Sequence, residues 1–287
     1  MTDQAPTQSP PATKALSPIV TLRDLVEKNK SQLALALPKY MDVDRLARVF
    51  MTCVQRTPAL AECAPISMLG FLFGCAQLGL EPDPVTGEIY PVPFNNSAKG
   101  RKEVQMIVGY RGLIKLVTNT DQVNAVYAKE VRANDDFDFD YGTFSPPHHK
   151  IKHHTEKERG EITHFYAVAK LKTGESQLEV MTKEDVDKIR ARAKASSNGP
   201  WVTDYVEMGR KTVTRRLCKY LPKAPSNSRL LLAVGMDERN DLGKPQDLGT
   251  LTGDPSEAAT PEREEKPTPQ MPKELPPPTD PGTAIEP

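Results

Sequence analysis

The segment Trp201–Pro222, WVTDYVEMGRKTVTRRLCKYLP, holds the residues best suited to chemistry in this chain, and that chemistry is ionic. Arg210, Lys211, Arg215, Arg216 and Lys219 place five cations within ten residues, with Lys211, Arg215 and Lys219 repeating every four. Like charges at that spacing lie one above another on a helix and repel. The only acids of the segment, Asp204 and Glu207, both precede the first cation, so no carboxylate of the segment offsets the row. Val206, Val213, Leu217 and Leu221, with Gly209 and Tyr220 between, predict one amphipathic helix over the whole segment. Its cationic side is either a solvated face or a face for a polyanion, and the missing acids favour the polyanion.

Two other basic groups point the same way. Lys188, Arg190, Arg192 and Lys194 crowd the helix predicted just before Trp201. Trp201 itself stacks a base or anchors two helices, and a lone tryptophan is better suited to the anchor. Tyr110, Arg111 and Lys115 lie in GYRGLIKLV (Gly109–Val117), where two glycines flank the start of a short helix. Such a turn is either purely structural or a place where backbone N–H groups meet phosphate.

Other chemistry finds less support. His148, His149, His153 and His154 lie in SPPHHKIKHH, with His164 on the next strand. Adjacent histidines on an extended chain face opposite ways, and no acid or cysteine stands at ligand spacing, so a solvated hairpin edge with Lys150 and Lys152 is the better reading. The DDFDFDY run puts Asp136, Asp138 and Asp140 on one strand face, which is either a Mg²⁺ patch or a charged solvated edge; no His or Lys partner is evident for these acids. Gly209-Arg210-Lys211-Thr212 resembles only the end of a phosphate-cradling loop, since Asp204 stands where the earlier glycine belongs. With no nucleophile elbow and no H-E-x-x-H helix either, the chain reads as a binding protein rather than an enzyme.

The charge balance of the whole chain is zero but uneven. Asp237 to the end holds 12 acidic and 5 basic residues, leaving 33 basic and 26 acidic before it. Of the basic residues, 11 lie between Lys183 and Lys223 beside 5 acids, which concentrates the positive excess around the Trp201 segment. A basic core with an acidic tail suits contact with nucleic acid or with a membrane surface. No membrane-length apolar run or signal peptide occurs, and Cys53, Cys63, Cys75 and Cys218 show no C-x-x-C pair, so a reduced cytoplasmic protein is expected.

Elements to position these residues follow from periodicity. Helices are predicted over Thr21–Leu37, from an Asp42 cap to Pro58, and from Ser67 to Leu78 with Gly79 as its stop. A strand is expected over Glu88–Phe94 and another over Val104–Val108, leading into the Gly109 turn. Val123–Val131, Phe137–Tyr141, Glu161–Leu171 and Gln177–Met181 alternate as strands, and Thr182 with Asp185 forms a capping box for a helix through Ala195. Grouped helices, then strands, then helices make an α+β fold, helices flanking a small, mainly antiparallel sheet. Residues 1–20 and the Pro-rich, acidic stretch 237–287 are expected to be disordered, around one core of residues 21–236.

CAPIS with GLEPDPVTGEIYPVPF, then VGYRGLIKL, YAVAKLKTG and PWVTDYVEMGRKTVTRRLCKYLP, resemble in order and spacing the RecT family of phage single-strand annealing recombinases, over about Leu33 to Leu221. The resemblance implies a core related to single-strand annealing proteins and an activity without ATP: coating single-stranded DNA and annealing it to its complement. It also implies rings or helical filaments, a 5′-to-3′ exonuclease and the host single-strand-binding protein as partners, and no required cofactor, with Mg²⁺ as an aid to annealing. Carried over, its DNA-facing cations are Arg111, Lys115, Arg210, Lys211, Arg215 and Arg216, to which the residues themselves add Tyr110, Lys188, Arg190, Arg192, Lys194 and Lys219. Gly209 departs from the family pattern, where a better helix former is usual. The alternatives are a Mg²⁺-dependent DNA-processing enzyme using Asp135–Asp140 with the histidines, and a single-strand-binding module that does not anneal.

Overall fold

The computed structural model describes residues 18–143, 145–194, 196–197, 199–221 and 228–252. The architecture is α+β with antiparallel strands throughout, as expected, but the strands form three separate small sheets rather than one.

Helices come first. α1 (Pro18–Lys28) and α2 (Lys30–Ala36) divide the stretch predicted as one helix from Thr21. The break falls at Asn29, whose side-chain amide donates back to the Leu25 carbonyl. α3 (Val43–Arg56) starts where its cap predicts, the Asp42 carboxylate accepting the Arg45 N–H at 2.9 Å. α4 (Pro65–Leu78) is apolar on every side, is buried along nearly its whole length and stops at Gly79 with φ 70°. Ser67 lies inside α4 rather than capping it. Its hydroxyl donates to the Ala64 carbonyl and accepts the Val104 N–H, which ties α4 to the first sheet.

That sheet is the hairpin of β1 (Ile89–Asn96) and β2 (Arg101–Val108), after which α5 (Tyr110–Thr118) turns back over the core. β3 (Val123–Arg132) leads into a small hairpin, β4 (Asp136–Asp138) with β5 (His148–Lys150). The single turn α6 (Glu156–Arg159) follows, then β6 (Ile162–Leu171) and β7 (Ser176–Thr182). The main sheet has the order β3-β6-β7. The β4–β5 hairpin contributes Phe137 and Phe139 to a small separate cluster with Tyr127, Tyr166 and Val168 of that sheet, Phe137 lying against Tyr166. Tyr141 covers the outer edge of β7: its hydroxyl accepts the Val180 N–H and donates to the Val180 carbonyl. An exposed strand edge is an invitation to pairing, and this contact blocks part of it.

α7 (Lys183–Arg192) opens on the expected Thr182/Asp185 capping box but ends before Ala195. Lys194 therefore lies past the helix, its N–H bonded to the Asp241 carbonyl. The single helix predicted from Trp201 is two. α8 (Pro200–Thr203) ends at Asp204, which sits at φ −137° and accepts the Thr203 hydroxyl, and α9 (Tyr205–Cys218) begins after it. A short polar side chain that bonds its own neighbour competes with the helix in this way. Trp201 is buried beside Tyr205, so it anchors the corner between the two helices. Tyr220, expected on the apolar side, lies beyond the end of α9 and is exposed.

The core does not stop at residue 236. α10 (Ser228–Asp241) continues through the boundary, and a 3₁₀ turn at Leu248–Thr252 packs on α4. Gly70 of α4 is the contact point, since a Cβ there would stand 2.0 Å from the Leu248 carbonyl oxygen. Gln246 is buried and bonds both the N–H and the carbonyl of Met106 on β2. An acidic, polar composition conceals this because the charges of the stretch have partners elsewhere in the fold. At the other end, α1 starts at Pro18, inside the segment expected as disordered. The disorder expected for 1–17 and 253–287 lies outside the described residues.

Candidate nucleic-acid interface

α9 lies across all three strands of the β3-β6-β7 sheet, and its sequence explains how. Val213 and Leu217 are fully buried. Gly209 meets the ring of Phe165 on β6 so closely that a Cβ would stand 2.4 Å from it. The glycine costs about 1 kcal/mol of helix propensity relative to alanine, and what it permits is this close seating on the sheet.

That seating divides the cations of α9 into two groups. The inner group is bound to carboxylates distant in sequence, which corrects the reading of an unpaired row. Arg215, its side chain 8 % exposed, donates through Nη1 to Asp237 at 2.8 Å and also to Asp241. Lys211 donates to the other oxygen of Asp237 at 2.7 Å, so one wholly buried carboxylate holds two cations. Arg210 turns the other way, donating through Nε to Glu130 of β3 at 3.0 Å and through Nη1 to Glu207 at 2.6 Å. Burial pushes the Arg215 guanidinium toward neutrality, but Asp237 and Asp241 more than offset it and its pKa ends above the usual arginine value. Burial likewise pushes Glu130 up, and Arg210 and Arg159 pull it below the ordinary carboxylate range.

The outer group faces solvent. Arg216 is 47 % exposed and touches Glu179 of β7 at 2.7 Å, while Lys219 is 46 % exposed and touches Glu238 of α10. Between α7, α9 and α10 runs a groove of about 270 Å³. Arg192, Arg216 and Lys219 stand along it, with Ile189, Ala193 and Leu242 as its apolar part. On the α7 side, Arg192 is exposed, and among the described residues its guanidinium donates to the Lys188 carbonyl of its own helix alone. Arg190 lies over the Tyr205 ring and donates to the Ser196 carbonyl at 3.1 Å. Lys194 stands 4.4 Å above the Phe94 ring, and Lys188 is exposed beside Glu184.

The α5 residues form a different neighbourhood. Burial raises the Tyr110 phenol, with the Ala128 backbone and Arg210 acting against it, so the ring belongs to the packing of α5 on β3 and α9. Lys115 is bound to both oxygens of Glu88 at 2.8 Å. Arg111 is exposed and donates to the Val85 carbonyl at 3.3 Å. Gly109 and Gly112 serve the chain's own packing, since a Cβ at either would stand 2.1 Å from the Gly87 or Glu88 carbonyl oxygen. The structure thus brings Arg192, Arg216 and Lys219 to one groove, sets Arg190, Lys188 and Lys194 apart from it, and leaves Arg111 and Lys115 beside the loop before β1.

The histidine and aspartate runs resolve into a structural network. The His149 ring lies between the Tyr166 hydroxyl, 3.1 Å from Nδ1, and Asp135, 3.2 Å from Nε2. A carboxylate only accepts, so Nε2 carries a hydrogen and donates it to Asp135. Asp135 also accepts two bonds from Arg159, which hold its carboxyl well below the ordinary range against the effect of burial. Lys152 pairs with Asp136. Of the three acids expected to lack a His or Lys partner, Asp136 thus has one, and the neighbouring Asp135 is the acid that meets a histidine. Among the described residues no group of three His, Cys, Asp or Glu side chains is placed to hold a metal ion, and no helix is long and apolar enough to cross a membrane.

The residues that sequence reasoning missed are the counter-charges: Glu130, Glu179, Asp237, Glu238 and Asp241. One signal for them was present. Asp237 and Asp241 are four apart, the same spacing as Lys211 and Arg215, so two neighbouring helices carry matching charge ladders.

Known proteins place this arrangement. The profile of the RecT family matches residues 44–246, from the start of α3 to beyond α10. Protein RecT of Escherichia coli (strain K12) is 42% identical over 228 residues, covering 78% of this chain and 82% of that protein. On both counts the chain belongs to the RecT family.

Proposed function

We propose that this protein binds single-stranded DNA and anneals it to a complementary strand without ATP, as a recombination protein. The observation that carries this reading is the groove between α7, α9 and α10, where three exposed cations, Arg192, Arg216 and Lys219, stand beside apolar side chains and the carboxylates Glu238 and Asp241, each already engaged with a cation of the α9 segment. Phosphates neutralised by such cations release counterions, and the bases are left outward for pairing. Lys188 adds an exposed cation on α7, while Arg190, Lys194 and Arg111 lie outside this groove. Lys211, Arg215 and Arg210, committed to buried carboxylates, hold the helix that presents the outer cations.

No catalytic residue is required in this reading. Two strands repel through their phosphates, the protein screens that repulsion, and the base pairs formed supply the free energy. Repeating the groove along a ring or filament of identical subunits aligns many bases at once, which is proximity rather than bond chemistry. A 5′-to-3′ exonuclease that makes the single strand and the host single-strand-binding protein are the partners this role calls for, in the cytoplasm. Mg²⁺ is an aid to pairing rather than a bound cofactor.

The test is pairing of complementary labelled oligonucleotides, without nucleotide, over a salt series. Accelerated pairing that weakens as salt rises is expected. Binding without acceleration would reduce the protein to a single-strand-binding module, and Mg²⁺-dependent loss of the labelled strand would replace the proposal with a nuclease.

A further inference from the structure

A second cleft, also of about 270 Å³, separates α3 from the Pro82–Val85 turn. Arg48 and Arg56 stand along its helical wall with Thr52 between them, and Pro82, Pro84 and Val85 form the opposite wall. Both arginines are exposed, and among the described residues neither guanidinium has a hydrogen-bond or ion-pair partner. The nearby acids are engaged: Glu81 takes a two-point contact from Arg45, and Asp83, the one carboxylate lining the cleft, accepts the Val85 N–H at 3.0 Å. The cleft is therefore cationic on its helical side and, apart from Asp83, apolar on the other, with Val85 76 % exposed. That combination suits a sugar–phosphate backbone whose bases rest against an apolar surface.

We propose that this cleft is a second nucleic-acid site, which takes the backbone of an incoming strand on Arg48 and Arg56; the role as incoming-strand site rests on the annealing function proposed above. Eight residues of helix separate the two arginines by about 12 Å along its axis, so the pair can hold two different phosphates of one strand. Arg111, holding the Val85 carbonyl, continues the cationic surface onto α5. α3 packs on α4, and α4 on α10, so this site belongs to a different side of the core from the α7–α9–α10 groove.

The test compares the parent with an Arg48→Gln/Arg56→Gln variant, checked for an unchanged thermal unfolding midpoint. Protein is loaded with one labelled oligonucleotide, its affinity is measured, and capture of the labelled complement is then followed by energy transfer. The proposal expects first-strand affinity within about twofold of the parent and complement capture slowed at least tenfold, with partial recovery in Arg48→Lys/Arg56→Lys. Capture at the parent rate, or equal loss of first strand and complement, would overturn it. A parent that binds but never accelerates pairing would instead overturn the annealing function itself. Block of capture by polyglutamate at the same charge concentration as DNA would also count against a nucleic-acid site.

Discussion

Lys211 and Arg216 lie five residues apart on the same helix and carry the same formal charge, yet the fold uses them in opposite ways. Lys211 points toward α10, where Asp237 is wholly buried, whereas Arg216 is half exposed between the groove and Glu179 of β7. The difference comes from the seating of α9. Gly209, Val213 and Leu217 fix one side of the helix on the sheet, and the angles of the remaining positions follow from 3.6 residues per turn. Burial then decides the chemistry. A cation enclosed with its carboxylate is part of the structure, because removing either partner leaves the other charge out of water. An exposed pair contributes little and exchanges its carboxylate for a phosphate readily.

The largest expected effect is on the inner side. Arg215→Ala leaves Asp237 and Asp241 short of a cation in a closed site, and a loss of about 3–5 kcal/mol is expected. Urea unfolding measures it; a change under about 1 kcal/mol would mean that the ion cluster is open to water.

Acid should expose the same dependence. Asp135 and Glu130 both have folded pKa values below their ordinary ones, so the stability they contribute is present at neutral pH and is lost as pH falls from the ordinary carboxylate range toward those depressed values. Unfolding free energy is expected to drop on acidification below about pH 4, and to drop less steeply in Asp135→Asn, which is already weaker at pH 7. Equal slopes in the two proteins would remove Asp135 from the account.

On the outer side the effects reverse their readout. Arg192→Ala/Arg216→Ala/Lys219→Ala is expected to leave the fold intact, each surface pair contributing about 0–1 kcal/mol, while single-strand affinity falls at least tenfold in low salt. A melt that moves as far as that of Arg215→Ala would erase the distinction between the two groups.

The smallest effect is a gain. Glu179 is buried enough that its pKa is raised despite Arg216 beside it, so it competes with phosphate for that arginine at a cost to itself. Glu179→Gln releases Arg216, and single-strand affinity is expected to rise about threefold, a factor equivalent to a typical exposed-pair energy of roughly 0.6 kcal/mol. Titration at low salt checks this, and weaker binding would show that Glu179 positions Arg216 instead of competing for it.

Much of this was legible in the sequence wherever the physics is local. Asp42, the Thr182/Asp185 box and Gly79 each mark an end of a helix through contacts within four residues, and each does so in the structure. The alternation of Phe137 with Asp136 and Asp138 likewise gives a strand with its aromatic side inward, but that strand stops at Asp138, and Tyr141, expected to continue it, lies in a 3₁₀ turn. What was not legible is pairing over distance. Glu130 lies 80 residues from Arg210, and Asp237 lies 26 from Lys211. Without those partners the row reads as five free cations, and the acids after residue 236 read as a solvated tail. The two misreadings are one, since the first acids of the supposed tail are the counter-ions of the helix.

The most direct measurement is the slope of log affinity for single-stranded DNA against log salt, at a temperature where all proteins are folded. Each phosphate contact adds about 0.7 to that slope. The account predicts that Arg192→Ala/Arg216→Ala/Lys219→Ala flattens it by about 2, and that Lys211→Met leaves it unchanged. A flattened slope in Lys211→Met, with the outer triple variant equal to the parent, would contradict it.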